Sequence, residues 1–216
     1  MKCVIVANGI IKEYEYLKQL IDNSDMIVCA DGGSRHLRRV DILPDIVIGD
    51  LDSMNSSDRH FLEGMNVKII QYPRRKDASD TELAVMWAME NRADEITLIG
   101  TTGERLDHTL ANIFLMKKIA AKGIPCRMVD DNNEIYLISD KIRLKGNPGD
   151  LISVIPLTEK VSGLTLTGLE YSLENAEIFM GSSIGISNYL TGNEASISIK
   201  TGLLAIMKSK DTICKK

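Results

Sequence analysis

The sequence predicts an α/β N-terminal domain with a mainly parallel sheet, followed by a small all-β sandwich domain. Its 216 residues amount to about 1.4 average domains, which leaves room for one full domain and one smaller one. Up to about residue 130, short β-branched runs alternate with stretches of helical periodicity; beyond it, short strands follow one another without helices. We therefore expect the domains to cover residues 1–130 and 131–216.

Six apolar, β-branched runs predict the strands of the first domain: Cys3–Ala7, Met26–Ala30, Asp45–Ile48, Val67–Gln71, Glu95–Ile99 and Cys126–Val129. The first five are each followed by a helical pattern, at about 12–22, 33–39, 55–64, 79–91 and 107–122. Continuous apolar strands separated by helices are typical of a parallel sheet that helices cover on both faces.

The second domain begins after the polar turn Asp130-Asp131-Asn132-Asn133. Its strand candidates are Glu134–Ser139, Lys141–Lys145, Leu151–Pro156, Gly163–Thr167, Ala195–Lys200 and Leu203–Met207. Glycine-containing turns separate them, and no convincing helical pattern of about ten residues occurs. Regular short strands of this kind indicate a β-sandwich or a barrel.

Composition and charge exclude several classes of protein. The formal net charge is −4, which argues against a nucleic-acid-binding surface, and the apolar runs are shorter than the roughly 18 residues that span a membrane. The N-terminus enters a strand pattern directly, without the features of a secretory signal. Because Cys3, Cys29, Cys126 and Cys214 are far apart in sequence, we expect free thiols in a cytoplasmic protein and no zinc site.

Polar and glycine-rich segments follow four strands of the predicted sheet. Ligands of open α/β sheets lie beyond the carboxyl ends of the strands, so these segments are expected to lie near one another. The first is Asp31-Gly32-Gly33, whose glycines allow a ligand to approach the backbone. A tight connection between strand and helix, capped by Asp31, explains the same residues equally well.

The second segment contains two acidic residues, Asp50 and Asp52. If the chain stays extended, their side chains project to the same side and repel by roughly 4 kcal/mol at about 4 Å and an effective dielectric near 20. A bound Mg²⁺ would convert this repulsion into attraction, because it prefers hard oxygen ligands. Capping of the next helix by Asp52 or Ser53 is the alternative.

The third segment runs from Arg74 to Glu82. Ser79 and Glu82 have the spacing of a capping box for the fourth helix. Capping leaves Asp77 and Asp80 unexplained, together with the basic residues 74–76. A basic run is usually a solvated face; beside clustered carboxylates it can instead hold a polyphosphate.

The fourth segment is a glycine-rich loop, Gly100-Thr101-Thr102-Gly103, that leads through Arg105 into a helix. This is the geometry of a phosphate site, although the loop is neither a Walker A motif nor a GxGxxG motif. His108 and Asn112 are four residues apart and share a face of that helix.

The four segments together, ADGG, GDLDS, KDASDTE and GTTGERLDHTLAN, closely resemble the thiamin pyrophosphokinase family in order and spacing. In the second domain, Gly168–Leu173 and Gly185–Asn188 resemble that family's thiamin-binding signature. Tyr189 departs from it, since many bacterial members carry Glu there.

The resemblance implies an ATP-binding catalytic domain, a thiamin-binding β-sandwich and a homodimer whose active sites lie at the subunit interface. It implies transfer of the pyrophosphoryl group of ATP to the hydroxyl of thiamin, giving thiamin diphosphate and AMP. The implied catalytic residues are Asp50, Asp52, Asp77, Asp80, Arg105 and Asp107, and Asp50, Asp52 and Asp80 would hold Mg²⁺. The implied ATP-binding residues are Asp31, Gly32, Gly33, Lys76, Asp77, Gly100, Thr101, Thr102, Gly103, Arg105, Asp107 and His108. The implied thiamin-binding residues are Tyr171, Ser187 and Asn188.

Two alternatives stay open at this point. A related pyrophosphokinase that acts on 6-hydroxymethylpterin has a similar pair of acidic residues. A nucleotide-binding sensor without catalytic activity could keep the fold, although all the expected carboxylates are present here. Neither nucleic acid nor membrane is an expected partner.

Overall fold

The computed structural model describes residues 1–54 and 56–210. The predicted start of the third helix at residue 55, the predicted thiol Cys214 and the end of the second predicted domain lie outside these residues. The chain divides into two compact units, Met1–Asp131 and Asn132–Lys216. No helix in the described part of the chain is both long enough and apolar enough to cross a membrane.

The first unit contains a six-stranded parallel sheet. Its strands are β1 (Lys2–Val6), β2 (Met26–Ala30), β3 (Ile46–Gly49), β4 (Lys68–Gln71), β5 (Glu95–Ile99) and β6 (Cys126–Val129). Their order is β6-β5-β1-β2-β3-β4, and every neighbouring pair is parallel. The predicted α/β class is confirmed, and the predicted strand bounds differ from the observed ones by at most one residue.

Five helices connect these strands: α1 (Tyr14–Asp22), α2 (Ser34–Arg39), α3 (Ser56–Gly64), α4 (Asp80–Glu90) and α5 (Leu106–Ala120). Val4 and Val6 of β1 belong to one apolar cluster with Leu17 of α1 and Leu37 of α2. Side chains alternate along a strand, so the buried Ile5 points to the opposite face, where α4 packs against β1, β2 and β3. Burial of both faces explains why the strands lack polar alternation.

Of the capping box predicted for α4, the Ser79 half forms and the Glu82 half does not. Ser79 Oγ accepts a hydrogen bond from the backbone N–H of Glu82 at 3.2 Å. The carboxylate of Glu82 forms an ion pair with Lys118 of α5. Ser79 thus fixes the start of α4, and the preceding residues 74–78 lie beside the ends of the parallel strands.

The strand order places a switch point between β1 and β5. From β1 the chain builds the sheet outward through β2, β3 and β4, and it then returns to the other side of β1 with β5 and β6. At such a point the loops that follow the two central strands diverge and leave a crevice. The loops after β1 and β5 therefore border the expected ligand site.

The second unit contains only strands among its described residues: β7 (Asn133–Ile138), β8 (Lys141–Lys145), β9 (Leu151–Pro156), β10 (Lys160–Thr167), β11 (Leu173–Phe179), β12 (Asn188–Tyr189), β13 (Glu194–Ser198) and β14 (Leu204–Ser209). They form two antiparallel groups, β12-β9-β14-β7 and β11-β10-β13-β8. Val154 and Ile206 of the first group share a buried core with Val161 and Ile197 of the second. The predicted sandwich is confirmed by this common core.

Candidate active site

A cavity of about 740 Å³ opens at the carboxyl ends of the parallel strands in the first unit. The segments that follow β1, β2, β4 and β5 all contribute to its walls. Of the residues that sequence reasoning assigned to ATP, those that line it are Asp31, Lys76, Gly100, Thr101, Thr102, Gly103, Arg105 and His108. The fold thus brings residues from three of the four predicted segments to one cavity, and Ser53 adds the remaining one.

Sequence reasoning missed the loop after β1, Asn8–Ile10, which also lines the cavity. Gly9 N–H donates to Gly100 O at 2.6 Å, and Ile10 N–H donates to Thr102 O at 2.9 Å. A Cβ atom on Gly9 would lie 2.2 Å from Thr102 O, so only glycine allows this approach. The polar pair Asn8-Gly9 directly after the first strand is the sequence feature that could have indicated this loop. It indicates a ligand site only when the strand order is known.

Two side chains of α2 hold this loop in place. Arg35 Nη2 donates to Asn8 O at 2.7 Å and to Gly9 O at 3.0 Å. His36 is buried, and its burial lowers the pKa of the imidazole. Its ring contacts two elements: Nε2 lies 2.8 Å from Gly9 O, and Nδ1 lies 2.9 Å from the hydroxyl oxygen of Tyr14.

Three carboxylates meet beside the cavity. Asp31, Asp50 and Asp80 each offer an oxygen atom, and these atoms lie within 4.8 Å of one another. Gly49 permits the approach, because a Cβ there would lie 2.9 Å from Asp31 Cβ and 3.0 Å from Asp80 Oδ1. Hard oxygen ligands at this spacing suit Mg²⁺.

The Asp31 side chain is the most buried member of this cluster. It is only 4% exposed, and its Oδ1 has no hydrogen-bond partner. Burial raises the pKa of this carboxyl, and the charges of Asp80 and Asp50 add to the effect. A buried carboxylate oxygen without a partner is costly, so its retention fits a site that a metal ion completes.

Asp52 is not a member of the cluster of three, although it lies beside Asp50. The expectation of an extended chain between Asp50 and Asp52 is wrong, because Leu51 has a φ of 64° in the left-handed region. The turn lets the Asp52 N–H donate to Asp50 Oδ1 at 3.1 Å, and Asp52 Oδ2 pairs with Arg74 Nε at 3.1 Å. Asp52 therefore neutralises a cation of the cavity wall in this structure.

Lys76 lies between two members of the cluster. Its Nζ is 2.9 Å from Asp50 Oδ2 and 2.9 Å from Asp80 Oδ1. The hydrogen bond from Lys76 lowers the pKa of Asp50. Burial alone would lower the pKa of Lys76, but its bonds and its attraction to Asp80 and Asp50 raise it. The ammonium therefore stays charged and takes the place of a cation among the carboxylates.

The glycine-rich loop after β5 is held from both sides. Gly100 has a φ of 69°, and a Cβ there would lie 2.3 Å from Ala7 O. The buried Asn112 of α5 donates from Nδ2 to Thr101 O at 2.8 Å. Thr101 Oγ1 is buried without a hydrogen-bond partner. The loop is thus fixed in shape, with one buried hydroxyl group that has no hydrogen-bond partner.

Arg105 stands at the exposed start of α5. Its Nη2 pairs with Asp107 Oδ2 at 2.6 Å, which raises the pKa of Arg105 and lowers that of Asp107. Both side chains are largely exposed, so the pair contributes little to stability. Asp107 orients the guanidinium at the cavity wall.

Four of the residues assigned to ATP do not line the cavity: Gly32, Gly33, Asp77 and Asp107. A Cβ on Gly33 would lie 2.2 Å from Val6 O, and one on Gly32 would lie 2.5 Å from Asn8 Nδ2. These glycines therefore let the turn after β2 pack closely on the end of β1 and its loop. Asp77 is exposed.

The residues assigned to thiamin lie together in the second unit. Asn188 is 2% exposed; its Oδ1 accepts from the N–H groups of Tyr171 and Tyr189, and its Nδ2 donates to Tyr171 O. Its amide is thus occupied by backbone groups and positions Tyr171, whose side chain is 66% exposed. Ser187 has a φ of 57°, and its N–H donates to Ser153 Oγ.

Fold and site together are those of an α/β protein with a ligand cavity at the carboxyl ends of its parallel strands and three carboxylates that could hold a metal ion. The family description "Thiamin pyrophosphokinase, catalytic domain" matches residues 17–128, and "Thiamin pyrophosphokinase, vitamin B1 binding domain" matches residues 139–204. Thiamine pyrophosphokinase of Bacillus subtilis is 34% identical over 209 residues, which cover 96% of this chain and 98% of that protein. The chain belongs to the thiamin pyrophosphokinase family.

Solved structures of the family agree with this assignment. A crystal structure of thiamine pyrophosphokinase from Bacillus subtilis has a TM-score of 0.87 at 32% identity and covers 98% of this chain and 100% of that chain. The protein from Geobacillus thermodenitrificans has a TM-score of 0.86 at 31% identity, covering 99% and 100%.

Proposed function

We propose that the protein transfers the pyrophosphoryl group of ATP to the hydroxyl of thiamin, giving thiamin diphosphate and AMP. The observation that carries this proposal is the cavity shared by a glycine-rich loop and a carboxylate cluster, in a chain that matches both the catalytic and the vitamin B1 binding domain of the family. That second match supports thiamin, rather than a hydroxymethylpterin, as the acceptor.

Mg²⁺ is the proposed metal. Asp50 and Asp80 would hold it together with Asp31, and Asp52 would join them by releasing Arg74. When bound, Mg²⁺ supplies positive charge that offsets the charge on the phosphate oxygens of ATP.

The chain's own residues bind and orient the polyphosphate. We assign phosphate contacts to the loop Gly100–Gly103 and to Arg105, Arg74 and Lys76, which all line the cavity. The thiamin hydroxyl attacks the β-phosphorus and loses its proton to solvent, and the bond from that phosphorus to the oxygen of the departing AMP breaks. Such transfers depend chiefly on positioning and charge neutralisation.

We assign thiamin recognition to Tyr171 and Ser187, with Asn188 as the residue that positions Tyr171. A negatively charged cluster also suits a substrate that carries a thiazolium cation. We further propose a homodimer with active sites at the subunit interface. Exposed Leu106, Leu110 and Phe114 follow one another along α5 at one-turn spacing, which is typical of a surface that a partner covers.

A cytoplasmic location is proposed from the free thiols Cys3, Cys29 and Cys126. Burial raises the pKa of Cys3 to about 12 and that of Cys126 to about 12. Thiols with raised pKa values are poor nucleophiles, and Cys3 is also buried in the core.

The test supplies ATP and Mg²⁺ with either thiamin or 6-hydroxymethylpterin and measures AMP formation. We expect AMP with thiamin only, and loss of activity in Asp50→Asn. Glu63→Gln is the matched control, because it neutralises an exposed acid of α3 that pairs with Arg59. AMP formation with the pterin alone, or an undiminished rate in Asp50→Asn, would refute the proposal.

A further inference from the structure

Lys76 differs from the other cations of the cavity in the carboxylates that it contacts. Arg74 pairs with Asp52 at 3.1 Å and Arg105 with Asp107 at 2.6 Å, and neither of those acids belongs to the cluster of three. Lys76 Nζ, in contrast, lies 2.9 Å from Asp50 Oδ2 and 2.9 Å from Asp80 Oδ1, which are both in the cluster.

The two contacts of Lys76 are not equivalent. Lys76 donates a hydrogen bond to Asp50 Oδ2 at 2.9 Å. Asp80 Oδ1 is buried, and its contact with Lys76 at 2.9 Å is an ion pair. Asp31 Oδ1, in contrast, is a buried carboxylate oxygen without a hydrogen-bond partner.

A divalent ion bound by Asp50 and Asp80 cannot coexist with the ammonium in its present position. Mg²⁺ binds its oxygen ligands at roughly 2.1 Å, so it would lie between the same carboxylates that now surround Nζ. Two cations at that separation repel strongly in a site where Lys76 is only 13% exposed. Metal binding therefore requires the ammonium to leave.

We propose that Lys76 is an internal counter-ion, which neutralises the carboxylate cluster while the metal is absent and is displaced into the cavity when Mg²⁺ binds. This inference rests on the metal site of the proposed function. The displaced ammonium enters a cavity whose walls also carry Arg35, Arg74 and Arg105. There it becomes free to contact the polyphosphate, so metal binding prepares the nucleotide site.

The first test is calorimetric titration of metal-stripped protein with Mg²⁺ alone. Lys76→Met keeps an unbranched side chain that is one atom shorter and removes the competing charge. We expect its Kd for Mg²⁺ to fall about tenfold below that of the wild type, which corresponds to about 1.4 kcal/mol. The metal-free variant should also have a lower Tm. Lys118→Met is the control, because Lys118 pairs with Glu82 outside the cluster, and its Kd should not change.

An equal or weaker affinity in Lys76→Met overturns the proposal, since a merely structural lysine would not oppose the metal. If that variant fails to fold, the wild type decides the matter. Reductive methylation followed by peptide mass spectrometry should show faster labelling of Lys76 with Mg²⁺ than without it, relative to Lys118. Unchanged or slower labelling overturns the proposal.

These readouts separate the inference from the proposed function. Displacement of Lys76 without any formation of thiamin diphosphate would refute the reaction and leave the counter-ion role intact. Full transferase activity with no effect of Lys76 on Mg²⁺ binding would refute the counter-ion role alone.

Discussion

Replacement of Asp31 by Asn should make the metal-free protein more stable and its metal site weaker. The substitution keeps the shape of a side chain that is 4% exposed and removes its charge. An oxygen atom of Asp50 and one of Asp80 each lie within 4.8 Å of an oxygen atom of Asp31. At that distance each pair of carboxylates repels by about 3 kcal/mol at an effective dielectric near 20. Because Lys76 offsets part of that repulsion, we expect a net gain of about 1–2 kcal/mol.

The assay is thermal unfolding in EDTA and at saturating Mg²⁺. A gain of about 1–2 kcal/mol raises the Tm by roughly 2–8 °C for a chain of this size. Mg²⁺ should then stabilise Asp31→Asn much less than the wild type, since the amide is a poorer ligand. Glu63→Gln, which neutralises an exposed acid of α3, should show neither effect. A metal-free Asp31→Asn that is less stable than the wild type, with the full Mg²⁺ response, would refute the account of this cluster.

Three further predictions concern the residues that hold the site. Asn188→Ala leaves backbone groups of Tyr171 unpaired, so it should lower the free energy of unfolding by about 1–3 kcal/mol, as chemical denaturation measures. It should also raise the KM for thiamin with little change in kcat, and an unchanged KM in steady-state kinetics contradicts the positioning role of Asn188. Gly9→Ala should raise the KM for ATP at least about tenfold, because its Cβ would lie 2.2 Å from Thr102 O. Gly123→Ala is the control for a turn glycine, since nothing lies within 4 Å of a Cβ there, and equal kinetics of the two variants would contradict this prediction. The pKa of His36 in the folded protein lies below its ordinary value of 6.5, so the stability contributed by the neutral ring is fully present above pH 6.5 and is lost as the pH falls through the folded-state pKa. His36→Gln should therefore flatten the dependence of Tm on pH below pH 6.5. Parallel Tm profiles of the variant and the wild type would refute this prediction.

The strands of the first unit were predictable because both of their faces are buried. Met26–Ala30 and Glu95–Ile99 have the bounds that the apolar runs indicated. Strand β11 was missed because it is largely exposed: only Ile178 of its seven residues is buried, so it carries no apolar run. A pattern that depends on burial cannot reveal an exposed strand, whose partners are fixed by the neighbouring chain.

The site was predictable as a group of segments but not in its contacts. Parallel topology alone places Asp31, Asp50 and Asp80 at one edge of the sheet. The loop Asn8–Ile10 required the strand order, which no local pattern encodes. The separation of Asp52 depends on the left-handed conformation of Leu51, which is uncommon for a leucine and is imposed by the surrounding structure.

Roles were harder to predict than positions. Asn188 has the residue type of a ligand-binding group, and its sequence gives no sign that its amide is fully engaged with the backbone of Tyr171 and Tyr189. Lys76 belongs to a basic run that suggests phosphate binding. Only the folded chain brings its ammonium between two carboxylates that are 26 and four residues away in sequence.

The reaction proposed for the cavity of the first unit is the transfer of an intact pyrophosphoryl group. The most direct measurement uses ATP labelled with ³²P at the β-phosphate, with Mg²⁺ and thiamin, and separates the products. We expect the label to enter thiamin diphosphate and unlabelled AMP to form in equal amount. Label retained in ADP, with unlabelled thiamin monophosphate as the product, would contradict it.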